Sequence, residues 1–138
     1  MTQEEKQLLL KDLCARVPYG VKVHVGDDWA MTLRQIDYKC FCECWENEDI
    51  KSNSRWMLPY LRPMSSMTEE EKRELAEEQK KDEELFLYII HKSQEGDDSL
   101  LGTAIPHYAE DWANKNHFDY RGLIQMGLAL EAPEGMYK

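Results

Sequence analysis

Apolar residues near the start of the chain recur every three to four positions, which is the spacing of an amphipathic helix. This stripe consists of Leu9, Leu10, Leu13, Cys14 and Val17. Thr2 and Glu5 have the spacing of a capping box, in which each side chain caps the backbone amide of the other residue. Pro18 disfavours the α conformation in the residue before it. The pattern predicts a helix that begins after Thr2 and ends before Pro18.

After Gly20 the pattern changes to the alternation of a β-strand. Val21, Val23 and Val25 alternate with polar residues, so we expect a half-buried strand with the valines inward. A second strand is expected over residues 29–38, with Met31, Leu33 and Gln35 on one face. A third is expected over residues 39–46, and a short fourth over residues 55–58, ended by a proline. Short strands separated by turns predict a small antiparallel, SH3-like sheet.

The next segment is strongly polar and begins at a second capping box, formed by Thr68 and Glu71. Between residues 69 and 84 only Leu75 and Ala76 are apolar, which predicts a solvent-exposed helix with Glu69–Arg73 and Glu77–Lys81 pairs. The apolar run at residues 85–90 is then expected to continue the helix as its buried anchor.

The C-terminal part is expected to be helical. Pro106 suits the first turn of a helix that carries Tyr108 and Trp112. Asp119 is a predicted N-cap for a short turn that Gly127 closes, and the tail is expected to be extended. The fold class is therefore α+β: an N-terminal helix packed on a small sheet, then an acidic helix and a helical C-terminal segment. One domain is expected over residues 1–138, with a sheet-containing part at 1–63 and a mainly helical part at 68–138.

The charge of the chain is concentrated in the acidic helix. The net charge is −10, and residues 68–98 hold 12 acidic and 5 basic residues. Phosphates repel such a chain, so direct nucleic-acid binding is not expected. The acidity is explained by a solvated helix face, by a surface that docks a basic protein, or by mimicry of nucleic acid. The interaction candidates on this helix are Glu70, Glu74, Glu77 and Glu78.

Three cysteines, Cys40, Cys42 and Cys44, alternate along the expected third strand. Neighbours on one strand face are about 6.6 Å apart, which is unfavourable for a disulfide. With His24 these cysteines could hold a metal ion, but the sequence lacks the paired C-x2-4-C knuckles of zinc sites. We therefore favour the interpretation that they are small buried side chains filling one face of the sheet. We therefore expect no metal and no cofactor. Reduced thiols, no signal sequence and no membrane-spanning apolar run predict a cytoplasmic protein.

The segment His117-Phe-Asp-Tyr-Arg-Gly122 is the best candidate for a local polar site. Asp119 can cap backbone amides, and Arg121 can bind a carboxylate through two hydrogen bonds. The segment either locks a turn or presents Tyr120 and Arg121 to a partner, since Tyr and Arg are enriched at binding hot spots. His107–Asp111 and a Cys–His pair are weaker candidates. No catalytic residue is assigned, because common nucleotide, hydrolase and zinc-protease motifs are missing.

Three blocks resemble a family of small uncharacterised proteins of phages and prophages of Bacteroides-type bacteria. They lie at residues 8–23, at 59–71, and at 111–112 with 117–124 and 127–137, about a third of the chain. The resemblance implies a phage-derived cytosolic protein of the bacterial host and implies no reaction. We expect an accessory protein that acts through protein contacts, with oligomeric state undetermined. The alternatives are an unfamiliar enzyme or small-ligand binder with a pocket between the sheet and the C-terminal helices, and a nucleic-acid mimic.

Overall fold

The computed structural model describes residues 2–25, 29–36, 58–97 and 107–137. It contains helices and short strands, so the predicted α+β class is confirmed. In chain order the α-helices and strands are α1 (Gln3–Arg16), β1 (Lys22–Val25), β2 (Trp29–Thr32), β3 (Tyr60–Leu61), α2 (Glu69–Gln94), α3 (Tyr108–Lys115) and β4 (Leu130–Glu131), and short 3-10 helices lie at Val17–Tyr19 and Met64–Ser66.

The chain folds into two compact units, and each is described separately. Residues 1–64 and 114–138 form the first, which we call the mixed unit, and residues 65–113 form the second, the helical unit. This division differs from the expected parts at 1–63 and 68–138, because the last 25 residues join the N-terminal part. The expectation of one domain over the whole chain stays a prediction.

Helix α1 begins as the capping pattern predicted. The amide of Glu5 donates to the Thr2 hydroxyl (3.1 Å), and the amide of Thr2 donates to the Glu5 carboxylate (2.7 Å). Leu9 and Leu13 are fully buried, whereas Cys14 is exposed. The buried stripe is therefore narrower than the sequence pattern indicated.

Strands β1 and β2 pair antiparallel, with Val23 opposite Met31. Val21 and Val23 are buried as predicted, and Leu33 is also buried. Met31, predicted to share a face with Leu33, is 51% exposed. The Leu33 amide donates to the Val21 carbonyl (2.8 Å), which continues the register of β1 and β2 by one residue pair, so Met31 and Leu33 share a face but only Leu33 is covered.

Strands β3 and β4 form a parallel pair that the local pattern did not indicate. Tyr60 lies opposite Leu130, and the carbonyl of Pro59, expected to end a strand, accepts from the Leu130 amide (2.8 Å). Pro59 also bridges Val23 antiparallel. The expected third strand at 39–46, and residues 55–57 of the fourth, lie outside the described residues, so an SH3-like arrangement stays a prediction.

The core of the mixed unit joins distant parts of the chain. Its fully or nearly buried apolar residues are Leu9, Leu13, Val21, Val23, Leu33, Leu58, Leu61, Leu123, Leu128 and Ala129. They come from α1, from the strands and from the C-terminal segment. Burial of this apolar surface holds the two ends of the chain in one unit.

The helical unit is built on α2, which begins at the predicted second capping box. The Glu71 amide donates to the Thr68 hydroxyl (3.2 Å), and the Thr68 amide donates to the Glu71 carboxylate (3.0 Å). The helix continues to Gln94, so the expected helical state of residues 85–90 is confirmed. Only Ile89 of that run is buried, however, so its prediction as a buried anchor is wrong.

Two Lys–Glu ion pairs on α2 are spaced by three residues, whereas the predicted pairs, Glu69–Arg73 and Glu77–Lys81, have a spacing of four. Lys72 pairs with Glu69 (3.1 Å), and Lys81 pairs with Glu78 (3.0 Å). Arg73 donates to the Glu69 backbone carbonyl (3.4 Å) instead of forming the predicted pair with its carboxylate. Such exposed pairs contribute little stability, so they tune the surface charge of the helix more than its folding.

Helix α3 is capped by a side chain of α2. Both carboxylate oxygens of Asp82 accept from its first amides, from Tyr108 at 2.7 Å and from Ala109 at 2.9 Å. The indole of Trp112 donates to Glu74 (3.2 Å). Pro106, the predicted first-turn residue, lies outside the described residues. None of the helices described combines the length and apolar character needed to cross a membrane.

Candidate functional site

The segment 117–124 lies beside the end of β3, which positions it. The Arg62 amide donates to the His117 carbonyl (2.7 Å), and the Asp119 amide donates to the Arg62 carbonyl (2.9 Å). The Asp119 carboxylate accepts from the amides of Leu123 (2.7 Å) and Ile124 (3.0 Å). The predicted capping role of Asp119 is therefore confirmed, with both oxygens used for the turn.

Tyr120 and Arg121 belong to a side-chain network inside the mixed unit. Arg121 donates through Nε to Asp12 (3.1 Å) and through Nη2 to the Tyr120 hydroxyl (2.7 Å). The Tyr120 hydroxyl donates to Asn114 (3.1 Å). The Arg121 side chain is 12% exposed. These contacts support a structural role, in which the two side chains hold the turn in place. Presentation of Tyr120 and Arg121 to a partner stays a prediction.

The sequence reasoning missed the centre of this network, which is the pair Asp12 and Arg16 on α1. Both side chains are 0% exposed, and Arg16 Nε lies 2.9 Å from Asp12 Oδ2. Arg16 Nη2 donates to the carbonyl of Phe118 (2.6 Å). A signal was available: with Leu9 and Leu13, these residues complete an i, i+3, i+4, i+7 set on the buried face.

His117 is held in an unusual conformation at the edge of this network. It is non-glycine with a φ of 62°, in the left-handed region that few residues adopt. Burial, reinforced by the charges of Arg16 and Arg62, lowers the pKa of His117 to about 4. The imidazole is therefore neutral near pH 7, which suits it to donating or accepting one hydrogen bond and not to carrying charge.

Tyr137 covers His117 and ties the C-terminal segment to the strands. Its hydroxyl donates to the Tyr60 carbonyl (2.6 Å) and accepts from the Lys22 amide (2.9 Å). Burial raises the pKa of Tyr137 to about 12. Tyr60 in turn contacts His24, whose Nδ1 lies 3.0 Å from the Tyr60 hydroxyl.

Of the four metal-ligand candidates named from the sequence, the described residues include His24 alone. His24 is buried and bonded to Tyr60, while Cys40, Cys42 and Cys44 lie outside the described residues. Within the described ranges no group of three His, Cys, Asp or Glu side chains could hold a metal ion. His107 and Asp111 are exposed and joined by a backbone hydrogen bond (2.9 Å). Cys14 is an exposed free thiol on α1.

Helix α2 presents apolar side chains to solvent. Phe86, Leu87 and Ile90 are 63%, 57% and 38% exposed. Ile90 is four residues after Phe86 and three after Leu87, and both spacings place side chains next to each other on a helix surface. We call these three residues the apolar patch. Tyr88 is also exposed, but it lies on a different side of the helix from the patch. The Lys92 amino group lies 5.7 Å from the centroid of the Tyr88 ring.

The acidic interaction candidates on α2 fall into two groups. Glu74 accepts from Trp112, and Glu78 pairs with Lys81. Glu70 and Glu77 are exposed and form neither a hydrogen bond nor an ion pair with the described residues, and the same holds for Glu83 and Glu84 near the patch. Because residues 70, 77 and 84 are seven apart, they lie close to one line along the helix.

Comparison with known proteins yielded no relative: no protein-family profile, curated protein or solved structure matches the chain.

Proposed function

We propose that this protein is an interaction module that binds a protein partner through the exposed face of α2. The apolar patch is the observation that supports this proposal. A single exposed apolar side chain is ordinary on a protein surface, whereas adjacent ones with more than a third of their area exposed are typical of binding sites. The mixed unit provides a packed scaffold, and no catalytic group is assigned.

The charge around the patch defines the kind of partner. Glu83 and Glu84 lie within three residues before Phe86, the first residue of the patch, and their carboxylates have no ion-pair partner within the described ranges. A partner surface with apolar side chains flanked by Lys or Arg would complement both features. Electrostatic attraction of this kind raises the association rate and weakens with salt, while the apolar contact keeps the complex together.

The cellular setting belongs to the same proposal. The resemblance to proteins of Bacteroides-type phages and prophages supports an accessory protein in the cytoplasm of the bacterial host. The partner is then a host or phage protein. The apolar patch favours this function over nucleic-acid mimicry, since a mimic depends on carboxylates and has no need of exposed Phe and Leu.

Site-specific photo-crosslinking in host lysate tests the proposal. A photoreactive residue at Leu87 should capture one defined protein, whereas the same residue at Met126, an exposed apolar position of the mixed unit, should not. The double variant F86E/L87E should weaken binding of the purified partner at least tenfold, and Met126→Glu should leave the affinity unchanged. Equal capture at both positions, or unchanged binding by F86E/L87E, would contradict the proposal.

A second variant separates protein docking from mimicry. Replacing Glu70, Glu77 and Glu84 by Gln removes the line of free carboxylates and leaves the patch intact. Docking through the patch predicts a reduced association rate with a small change in dissociation rate. Mimicry predicts that this variant no longer competes with DNA for the partner, while F86E/L87E still competes.

A further inference from the structure

We propose that the partner of α2 presents a single amphipathic α-helix, which lies along the exposed side of α2 and carries Lys or Arg at seven-residue intervals. This inference rests on the proposed function, since it names the structure of the partner that binds the apolar patch. Its support comes from the exposure pattern of α2, from the spacing of its carboxylates and from the charges of its exposed side.

Helix α2 is covered along one stripe only. The buried and half-buried positions from Glu71 to Lys92 follow one another at alternating spacings of four and three residues, with Leu75, Asp82 and Ile89 among them. Every other position between residues 72 and 91 is exposed. At 1.5 Å per residue the exposed side is about 30 Å long, which is enough for three heptads of a second helix.

The exposed side carries a second series with the same alternating spacing, which we call the outer seam. All of its side chains are exposed, and they are Ala76, Lys80, Glu83, Leu87 and Ile90. Positions that alternate by three and four residues form the seam at which two helices pack. The last two members belong to the apolar patch, so the patch is the apolar end of a longer surface of helical periodicity.

Glu70, Glu77 and Glu84 run beside the outer seam, and we call them the carboxylate line. They form neither a hydrogen bond nor an ion pair with the described residues. Successive members are seven residues apart, about 10.5 Å along the axis. A second helix repeats its flanking charges at this distance, whereas one face of a strand repeats about every 6.6 Å. The spacing therefore favours a helical partner with basic flanking residues.

The charges of the exposed side argue against a second copy of this chain as the partner. A parallel pair of α2 helices would place Lys80 against Lys80 and Glu83 against Glu83. An antiparallel pair would bring the carboxylate line of one copy against the same line of the other. Juxtaposed like charges oppose association, and a basic helix avoids both arrangements.

Photo-crosslinking from three positions of the outer seam tests the partner's structure. A photoreactive residue replaces Ala76, Lys80 or Leu87 in the full-length protein, and mass spectrometry maps each attachment site on the protein captured from Leu87. Ala76 and Leu87 are 11 residues apart, about 16.5 Å along α2. Their attachment sites should lie about 11 residues apart in one continuous helix, with the Lys80 site between them.

Two other results separate this inference from the proposed function. Attachment sites in distant segments of the partner, or about five residues apart as on a strand, overturn the helix and leave the proposed function in place. If Leu87 captures no defined protein, the proposed function fails and the inference fails with it.

The charge of the partner helix is tested with the purified partner. Replacing the carboxylate line by Gln should weaken binding about tenfold at low salt and reduce the salt dependence of Kd. The matched control E4Q/E131Q/E134Q removes three exposed charges from the mixed unit and should bind as the wild-type protein does. Equal affinities of the two triple variants would overturn the basic character of the partner helix.

Discussion

The ring of His117 stacks on the ring of Tyr137, with centroids 3.7 Å apart and an angle of 15° between the planes. The two residues are 20 positions apart in the sequence, and neither belongs to a helix or strand. The contact therefore depends on the C-terminal segment folding back along β3. It buries an imidazole beside two guanidinium groups, which makes the mixed unit sensitive to acid.

The first prediction concerns pH. The pKa of His117 is about 4 in the folded protein and about 6.5 unfolded, so only the unfolded state gains the proton between these values. The associated stability is fully present above pH 6.5 and is lost as the pH falls towards 4. Between pH 7.5 and pH 5 the loss is about 2 kcal/mol, measurable by urea denaturation at each pH.

His117→Asn should remove this part of the pH dependence, because Asn tolerates a positive φ and does not titrate. His91→Gln is the matched control, since the His91 side chain is 67% exposed. It should follow the wild-type curve. If His117→Asn and the wild-type protein lose the same stability between pH 7.5 and pH 5, the neutral buried state of His117 is wrong.

The second prediction concerns Asp12. Asp12→Asn keeps the shape of the side chain but removes the carboxylate that Arg16 and Arg121 share. Breaking a buried ion pair from one side typically costs about 3–5 kcal/mol, so the free energy of unfolding should fall by about that amount in chemical denaturation. The exposed Asp111→Asn is the control and should change stability by less than about 0.5 kcal/mol. A similar small effect of Asp12→Asn would contradict the buried network.

The third prediction concerns the cap of the 119–124 turn. Asp119→Ala removes both hydrogen bonds to the amides of Leu123 and Ile124, and caps of this kind contribute up to about 2 kcal/mol. Amide hydrogen exchange followed by NMR should therefore accelerate at these two residues. Asp119→Asn, which keeps one acceptor oxygen, should show an intermediate effect. Unchanged protection at Leu123 and Ile124 in Asp119→Ala would rule out the capping role.

The fourth prediction tests the link from α2 to α3. Asp82→Ala removes the carboxylate that caps Tyr108 and Ala109, so α3 should lose about 1 kcal/mol and exchange its first amides faster. Glu83→Ala, at the next and exposed position, should leave those amides unchanged. Equal exchange in both variants would show that α3 forms without this cap.

Much of the local structure was predictable because its causes lie within a few residues. The capping boxes at Thr2 and Thr68 use donors and acceptors three positions apart, and both are present in the structure. Asp119 was recognised for the same reason. Alternation placed Met31 and Leu33 on one face, but it does not tell which positions of that face are covered by other parts of the chain, so the exposure of Met31 was not predictable.

The candidate surfaces were harder to predict, because exposure depends on what packs against a residue. The run at 85–90 has the composition of a core segment, yet its helical state leaves only one side of α2 facing the rest of its unit, so Phe86 and Leu87 point to solvent. Arg16 was missed for the converse reason. An arginine is expected at the surface unless it is paired. Arg16 is paired with Asp12 on the same helix and with the carbonyl of Phe118, which is 102 residues away in the sequence.

The sequence by itself determined the ends of α1 and α2, the valine face of β1 and the acidity of α2, since these follow from short-range hydrogen bonding, side-chain periodicity and composition. Tertiary structure decided the parallel pairing of β3 with β4, the assignment of residues 114–138 to the mixed unit, and the convergence of Arg16, Arg121 and His117. These depend on contacts between residues far apart in the chain, which form only when burial of a shared core brings both ends together.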